Sequence, residues 1–166
     1  MVCFGIDPGL GRLGYGIVSQ DGDALRALDY GIISTKAGVP IATRLAELFT
    51  SLEDKISSHK PDAIAVERLF FGRNTTTAEM VFQARGVVLL AAARFGLIPY
   101  EPKPSEVKMS VCGYGGAEKQ QVQGMVKNIL NLESIPKPDD AADALAIAIT
   151  GLSLSMYDMR NGGMTR

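Results

Sequence analysis

The chain has 166 residues, 46% hydrophobic and 21% charged, and its 17 basic side chains nearly cancel 18 acidic ones. These values fit one globular domain and exclude both a disordered chain and a uniformly basic nucleic-acid coat. Cys3 and Cys112 have no paired-cysteine spacing, and the longest apolar run, residues 87–93, is far short of a membrane span. A reduced, soluble, cytoplasmic protein with no membrane contact is expected. Residues 2–6 read as a buried strand stopped at Asp7-Pro8-Gly9, and residues 15–19 and 25–34 as two more strands joined by a hairpin at 20–23. The period then changes. Leu45, Leu48, Phe49, Leu52 and Ile56 share one face of a helix over 41–57. A fourth strand, 63–66, runs into Glu67, and a polar loop covers 68–76. A helix follows at 78–95, with its 86–93 portion expected to be largely buried. Residues 97–100 form a fifth strand closed by Pro102 and Pro104. Helices at 105–112 and 118–131 flank a glycine turn, and an apolar helix spans 140–154. A hairpin followed by alternating strands and helices predicts an α/β domain over 1–155 with a mixed sheet, and a flexible tail at 156–166.

Four carboxylates lie where apolar structure ends. Asp7 closes the first strand and Glu67 the fourth; Asp140 and Asp143, three apart, share one face at the start of the apolar helix. If strands one and four are neighbours, Asp7 and Glu67 emerge side by side at one sheet edge, and the last helix need only pack its apolar face on the sheet to bring its aspartates alongside. Carboxylates so close repel unless a cation lies between them, and oxygen ligands without imidazole suit Mg²⁺ or Mn²⁺, not zinc. Two such ions about 4 Å apart could activate water and steady the leaving oxygen of a phosphodiester. Each acid alone also reads as a turn residue, a solvated strand end or a helix-start charge. Asp143 is the least ordinary, set among Ala141, Ala142, Ala144, Leu145 and Ala146. Only the set of four carries weight.

Although the net charge is −1, residues 68–127 carry a local balance of +4. Within them Arg68, Phe70, Phe71, Arg73 and Asn74 interleave cations and rings directly after Glu67, a pattern suited to phosphates and unpaired bases. One or both phenylalanines could equally be core, with Phe71 assigned inward and Phe70 outward. Lys108 and Lys119 flank the glycine turn and could reach phosphates, although isolated lysines are by default solvated. His59 is the only histidine and ends a polar helix, which excludes a histidine-dependent triad. Residues 9–14 match G-x-G-x-x-G, but a strand continues where the dinucleotide fingerprint requires a helix, so no such site is assigned.

The segments GIDPGLGRLGYGIV (5–18), AVERLFFGRN (65–74), QARGV (83–87), EVKMSVCGYGGAEKQQVQGMV (106–126) and DDAADALAIAIT (139–150) resemble the RuvC family of Holliday junction resolvases. The likeness spans residues 1 to about 155. It implies an RNase H-like fold, a mixed five-stranded sheet flanked by helices, in a homodimer that binds four-way DNA junctions during recombination and repair. Each subunit would nick one of two strands of like polarity, leaving 5′-phosphate and 3′-hydroxyl ends. Motif matching makes Asp7, Glu67, Asp140 and Asp143 the metal-binding and catalytic acids, with two Mg²⁺ ions per subunit, or Mn²⁺. Lys108 and Lys119 match lysines associated with the scissile phosphate, Lys119 within the catalytic set. Phe70 matches an aromatic associated with junction unstacking, and Arg73, Asn74 and Arg85 complete the expected DNA contacts. The resemblance also implies work with the RuvA–RuvB branch-migration machinery. Two positions depart from the family pattern: Arg68, where a glutamine or acid is frequent, and Gly151, where several members carry histidine. Other readings are a non-catalytic junction scaffold and an actin-like or sugar-kinase-type phosphotransferase, which would need two such lobes.

Overall fold

The computed structural model describes residues 1–68 and 75–162. Phe70, Phe71, Arg73 and Asn74 therefore lie outside the described residues. The elements are β1 (Val2–Asp7), β2 (Arg12–Asp21), β3 (Ala24–Ser34), α1 (Ile41–His59), β4 (Ala63–Val66), α2 (Thr75–Arg94), α3 (Pro104–Cys112), α4 (Lys119–Ile129) and α5 (Asp139–Arg160). Among the described residues the sheet has the order β3-β2-β1-β4. The first two pairings with β2 are antiparallel and β1–β4 is parallel, so the sheet is mixed, as expected. The hairpin turns at Gly22, whose φ of +58° suits glycine. β2 begins at Arg12, inside the glycine-rich run, and no helix opens there.

Alternation along the strands sends side chains to two opposite cores. Phe4, Ile6, Leu13, Ile17, Ile64 and Val66 pack with α1 and α2 on one face. Cys3, Val18, Ala63 and Ala65 pack with α3, α4 and α5 on the other. Cys3 is fully buried, and that burial pushes its thiol pKa far up, consistent with an inert core residue.

The structure corrects three expectations. The fifth strand contracts to one parallel bridge, Ala65–Tyr100. Tyr100 N donates to Ile64 O and Val66 N to Tyr100 O, both at 2.9 Å, but Pro99, Pro102 and Pro104 lack the donors a longer ladder needs. In α2 the 86–93 stretch is split rather than largely buried: Val88, Ala91 and Ala92 face the core, whereas Gly86, Leu90 and Ala93 are exposed, Leu90 to 55%. Among the described residues, one layer alone covers that helix. The last helix runs to Arg160 instead of stopping at residue 154. Its polar last turns hide the periodic signal without ending the backbone hydrogen bonding. No helix of the described residues is long and apolar enough to cross a membrane.

Candidate active site

Parallel pairing sets Ile6 opposite Val66, so Asp7 and Glu67 leave the sheet side by side. Glu67 N donates to Ile6 O at 3.4 Å, extending the pairing to the site itself. What brings α5 to them is a patch of glycine. A Cβ on Gly14 would lie 2.1 Å from the Asp140 carbonyl oxygen, and one on Gly5 2.3 Å from that of Ala144. A Cβ on Gly16 would lie 2.8 Å from the backbone nitrogen of Leu145, again too close for a side chain. Gly5 and Gly16 are cross-strand partners, as are Asp7 and Gly14. These three positions form a trough that lets the helix backbone rest directly on the sheet, with its acidic first turns over the ends of β1 and β4. Farther along, a Cβ on Gly151 would lie 2.6 Å from both Ala65 Cβ and Cys3 Sγ. That contact accounts for the absence of a larger residue there in this chain.

Asp7, Glu67, Asp143, Lys108 and Lys119 line one cavity of about 270 Å³, floored by Val107, Val122 and Ala146. Burial pushes Asp7 up to about 7, reinforced by the charges of Asp143, Glu67 and Asp140 and opposed by Lys119. Glu67 is raised by burial and by Asp143, with Lys108 and Lys119 opposing. Burial also raises Asp143, against the pull of Lys119. Lys119 opens α4, where Gln121 accepts a 2.8 Å hydrogen bond from the Glu118 backbone and fixes the helix start. Its Nζ lies 2.6 Å from Asp139 Oδ2 and 2.8 Å from Asp143 Oδ2. Partial burial opposes the lysine's charge, but those two partners outweigh it and hold its pKa well above the usual range. Lys108 has no ion pair among the described residues.

Asp140 stands to one side. It is absent from the cavity lining, its Oδ2 is 3.4 Å from Arg12 Nη2, and that oxygen is buried without a hydrogen bond. Its charge nevertheless reaches Asp7. Arg85 is further away in role: it is paired with Glu101 and does not line this cavity. Arg12 and Asp139 are site neighbours that residue-by-residue reading passes over. Their only signals are the glycine-rich turn after Asp7 and the doubled aspartate before Ala141.

Among the described residues no three acidic, cysteine or histidine side chains close into a ready metal cage. The donor chemistry still fits a hard divalent cation. The candidate ligands are carboxylates, three of them with pKa values raised by burial, and the Asp140 oxygen beside Arg12 has no hydrogen-bond partner. A lysine ammonium supplies positive charge between Asp139 and Asp143.

The family model for the crossover junction endodeoxyribonuclease RuvC matches residues 3–151. The crossover junction endodeoxyribonuclease RuvC of Heliobacterium modesticaldum is 58% identical over 149 residues, covering 90% of this chain and 92% of that protein. The Thermus thermophilus RuvC structure superposes with a TM-score of 0.86 at 36% identity, covering 98% of this chain and 97% of that one. T. thermophilus RuvC in complex with a Holliday junction substrate gives 0.85 at 34% identity, with the same coverage.

Proposed function

The chain belongs to the RuvC family of crossover junction endodeoxyribonucleases, with its RNase H-like fold, and we propose that it cuts at the cleft of Asp7, Glu67 and Asp143. It is a Holliday junction-resolving endonuclease of DNA recombination and repair. One observation carries the assignment of the site: acids from three distant segments converge with two lysines in a single cavity. That convergence favours catalysis over a passive junction scaffold, since carboxylates beside DNA phosphates are unfavourable without a cation. The family match over residues 3–151 removes the phosphotransferase reading.

Asp7, Glu67, Asp140 and Asp143 would hold two Mg²⁺ ions per subunit, or Mn²⁺, supplying charge for the attacking water and the leaving oxygen. The buried acids are poised for this role, because a cation offsets both the burial of their charge and the mutual repulsion that raise them. Lys119 holds Asp139 and Asp143 in register and, with Lys108, directs positive charge at the scissile phosphate. Phe70 would part stacked bases at the junction centre, with Arg73 and Asn74 on neighbouring phosphates; all three follow Glu67 closely in sequence. Arg85 would reach DNA only by leaving Glu101. Products would carry 5′-phosphate and 3′-hydroxyl ends. Product mapping on a synthetic four-way junction tests the reading. Paired symmetric nicks with Mg²⁺ and none with EDTA are expected; full activity in EDTA would overturn it.

Paired nicks need two cleavage centres, and the uncovered side of α2 supports a homodimer. Gly86, Leu90 and Ala93 follow helical spacing on that exposed side. Leu90→Glu should convert dimer to monomer in sedimentation and replace paired nicks with single ones. An unchanged dimer would remove α2 from the interface. Action in the cytoplasm with RuvA–RuvB completes the proposal.

A further inference from the structure

We propose that Arg44 and Thr35 are positioning residues for strand cleavage, forming a buried relay that fixes the turn between β1 and β2 and thereby the carboxylate of Asp7. The inference rests on Asp7 being a catalytic acid. The turn of residues 8–11 has Asp7 at one end and Arg12, the ionic neighbour of Asp140, at the other. A Cβ on Gly9 would lie 2.2 Å from the Arg12 carbonyl oxygen, so the chain reverses too tightly there for a side chain. The ladder between β1 and β2 ends at the Asp7–Gly14 pair, which leaves the carbonyls of Leu10 and Gly11 in need of donors from elsewhere.

Thr35, just after β3, supplies both. Its Oγ1 donates to Leu10 O at 2.5 Å and its backbone N donates to Gly11 O at 3.2 Å. Arg44, one turn into α1, then donates from Nε to Thr35 Oγ1 at 2.9 Å. Leu10, Thr35 and Arg44 are all buried. The hydroxyl is thus used in both directions, as donor to the turn and acceptor from the arginine, and its orientation is fixed. The guanidinium also lies beside the turn: a Cβ built on Gly11 would be 3.8 Å from Arg44 Nη2.

Arg44 is an unusual residue for this place. Arg85 and Arg94 are each paired with a glutamate, whereas Arg44, the most buried arginine described, has no carboxylate partner among the described residues. Burying a guanidinium without a counter-charge is costly, and an apolar side chain would fill the same space more cheaply. The hydrogen bond to Thr35 is what the arginine provides there. A threonine–arginine clamp on the turn preorganises Asp7, and displacement of a reacting group by about 1 Å is enough to slow a reaction roughly a hundredfold.

Thr35→Val keeps the shape and removes the hydroxyl; Thr35→Ser keeps the hydroxyl. Single-turnover cleavage of a four-way junction at saturating protein should be about 30- to 100-fold slower in Thr35→Val. Its junction Kd in EDTA should stay within about twofold of the parent, since the turn's charges are untouched. Mn²⁺ should bind more weakly by calorimetry, and Thr35→Ser should restore both rate and Mn²⁺ affinity. Arg44→Met reads the same relay from its other end and stands in if Thr35→Val does not fold. Parent-level cleavage and Mn²⁺ affinity in folded Thr35→Val, or in Arg44→Met as its stand-in, overturn the relay. So does a rate loss that Thr35→Ser fails to restore. An active Asp7→Asn would instead overturn the catalytic assignment, so the two failures are separable.

Discussion

Asp7→Asn should lower junction cleavage by about a thousandfold or more, while junction binding survives. Asparagine keeps the shape but withdraws the charge that a divalent cation needs, and a loss of about 4 kcal/mol in transition-state stabilisation corresponds to three decades in rate. Cleavage at the parent rate in a gel assay with Mg²⁺ would remove Asp7 from the chemistry. The same substitution should raise stability in the absence of metal. Burial and its acidic neighbours push Asp7 from 3.8 to about 7, so the folded protein binds this proton more firmly than the unfolded chain does. With respect to this group, stability is greatest below the unfolded pKa. It falls as pH rises towards 7, and the full penalty, on the order of a few kcal/mol, applies above it. Melting in EDTA should therefore favour Asp7→Asn at pH 8, with the advantage shrinking towards pH 4. A lower melting temperature for the variant at pH 8 would contradict the burial and repulsion described here.

Gly14→Ala should damage folding and cleavage together. The added Cβ would meet the carbonyl oxygen of Asp140 at 2.1 Å and its carbonyl carbon at 2.7 Å, both backbone atoms that no rotamer change can move. Overpacking of this kind costs about 1–3 kcal/mol, and relief requires α5 to lift from β2. Asp140 and Asp143 would move with the helix, adding a rate loss of about a hundredfold. Gly124→Ala in α4 is the matched control: nothing lies within 4 Å of its new Cβ, and alanine favours a helix. The control should melt at or above the parent temperature and cut normally. Normal melting and cleavage by Gly14→Ala would show that the trough tolerates a side chain.

Much of the site's placement is readable from residue order. A strand that stops on an acid is visible because the apolar run ends abruptly, and Asp7, Glu67 and Asp143 do meet in one cavity with Lys108 and Lys119. The helix trough is not readable in the same way. Gly14 and Gly16 each look like weak strand residues until α5 is seen resting on them. Asp140 matches Asp143 in helical spacing, yet it lies beside Arg12 and outside the cavity lining. The fifth strand is reduced to one bridge, because the prolines around Tyr100 remove donors from the ladder. Leu90 marks a limit of composition itself: an apolar residue in an apolar helix reads as buried, yet this one is 55% exposed. Arg44 and Thr35 are separated from Leu10 by a whole hairpin, and no local pattern announces a hydrogen bond across that distance.

The cleft is divided along the chain. Asp7 and Glu67 come from β1 and the end of β4, whereas Asp143 arrives on α5, after every other described element has been made. The sheet alone therefore carries two of the three acids that line the pocket, and α5 brings the third. The pocket of Asp7, Glu67 and Asp143 is thus complete only with α5 docked in its glycine seat, so any change that loosens that seat opens the pocket as well.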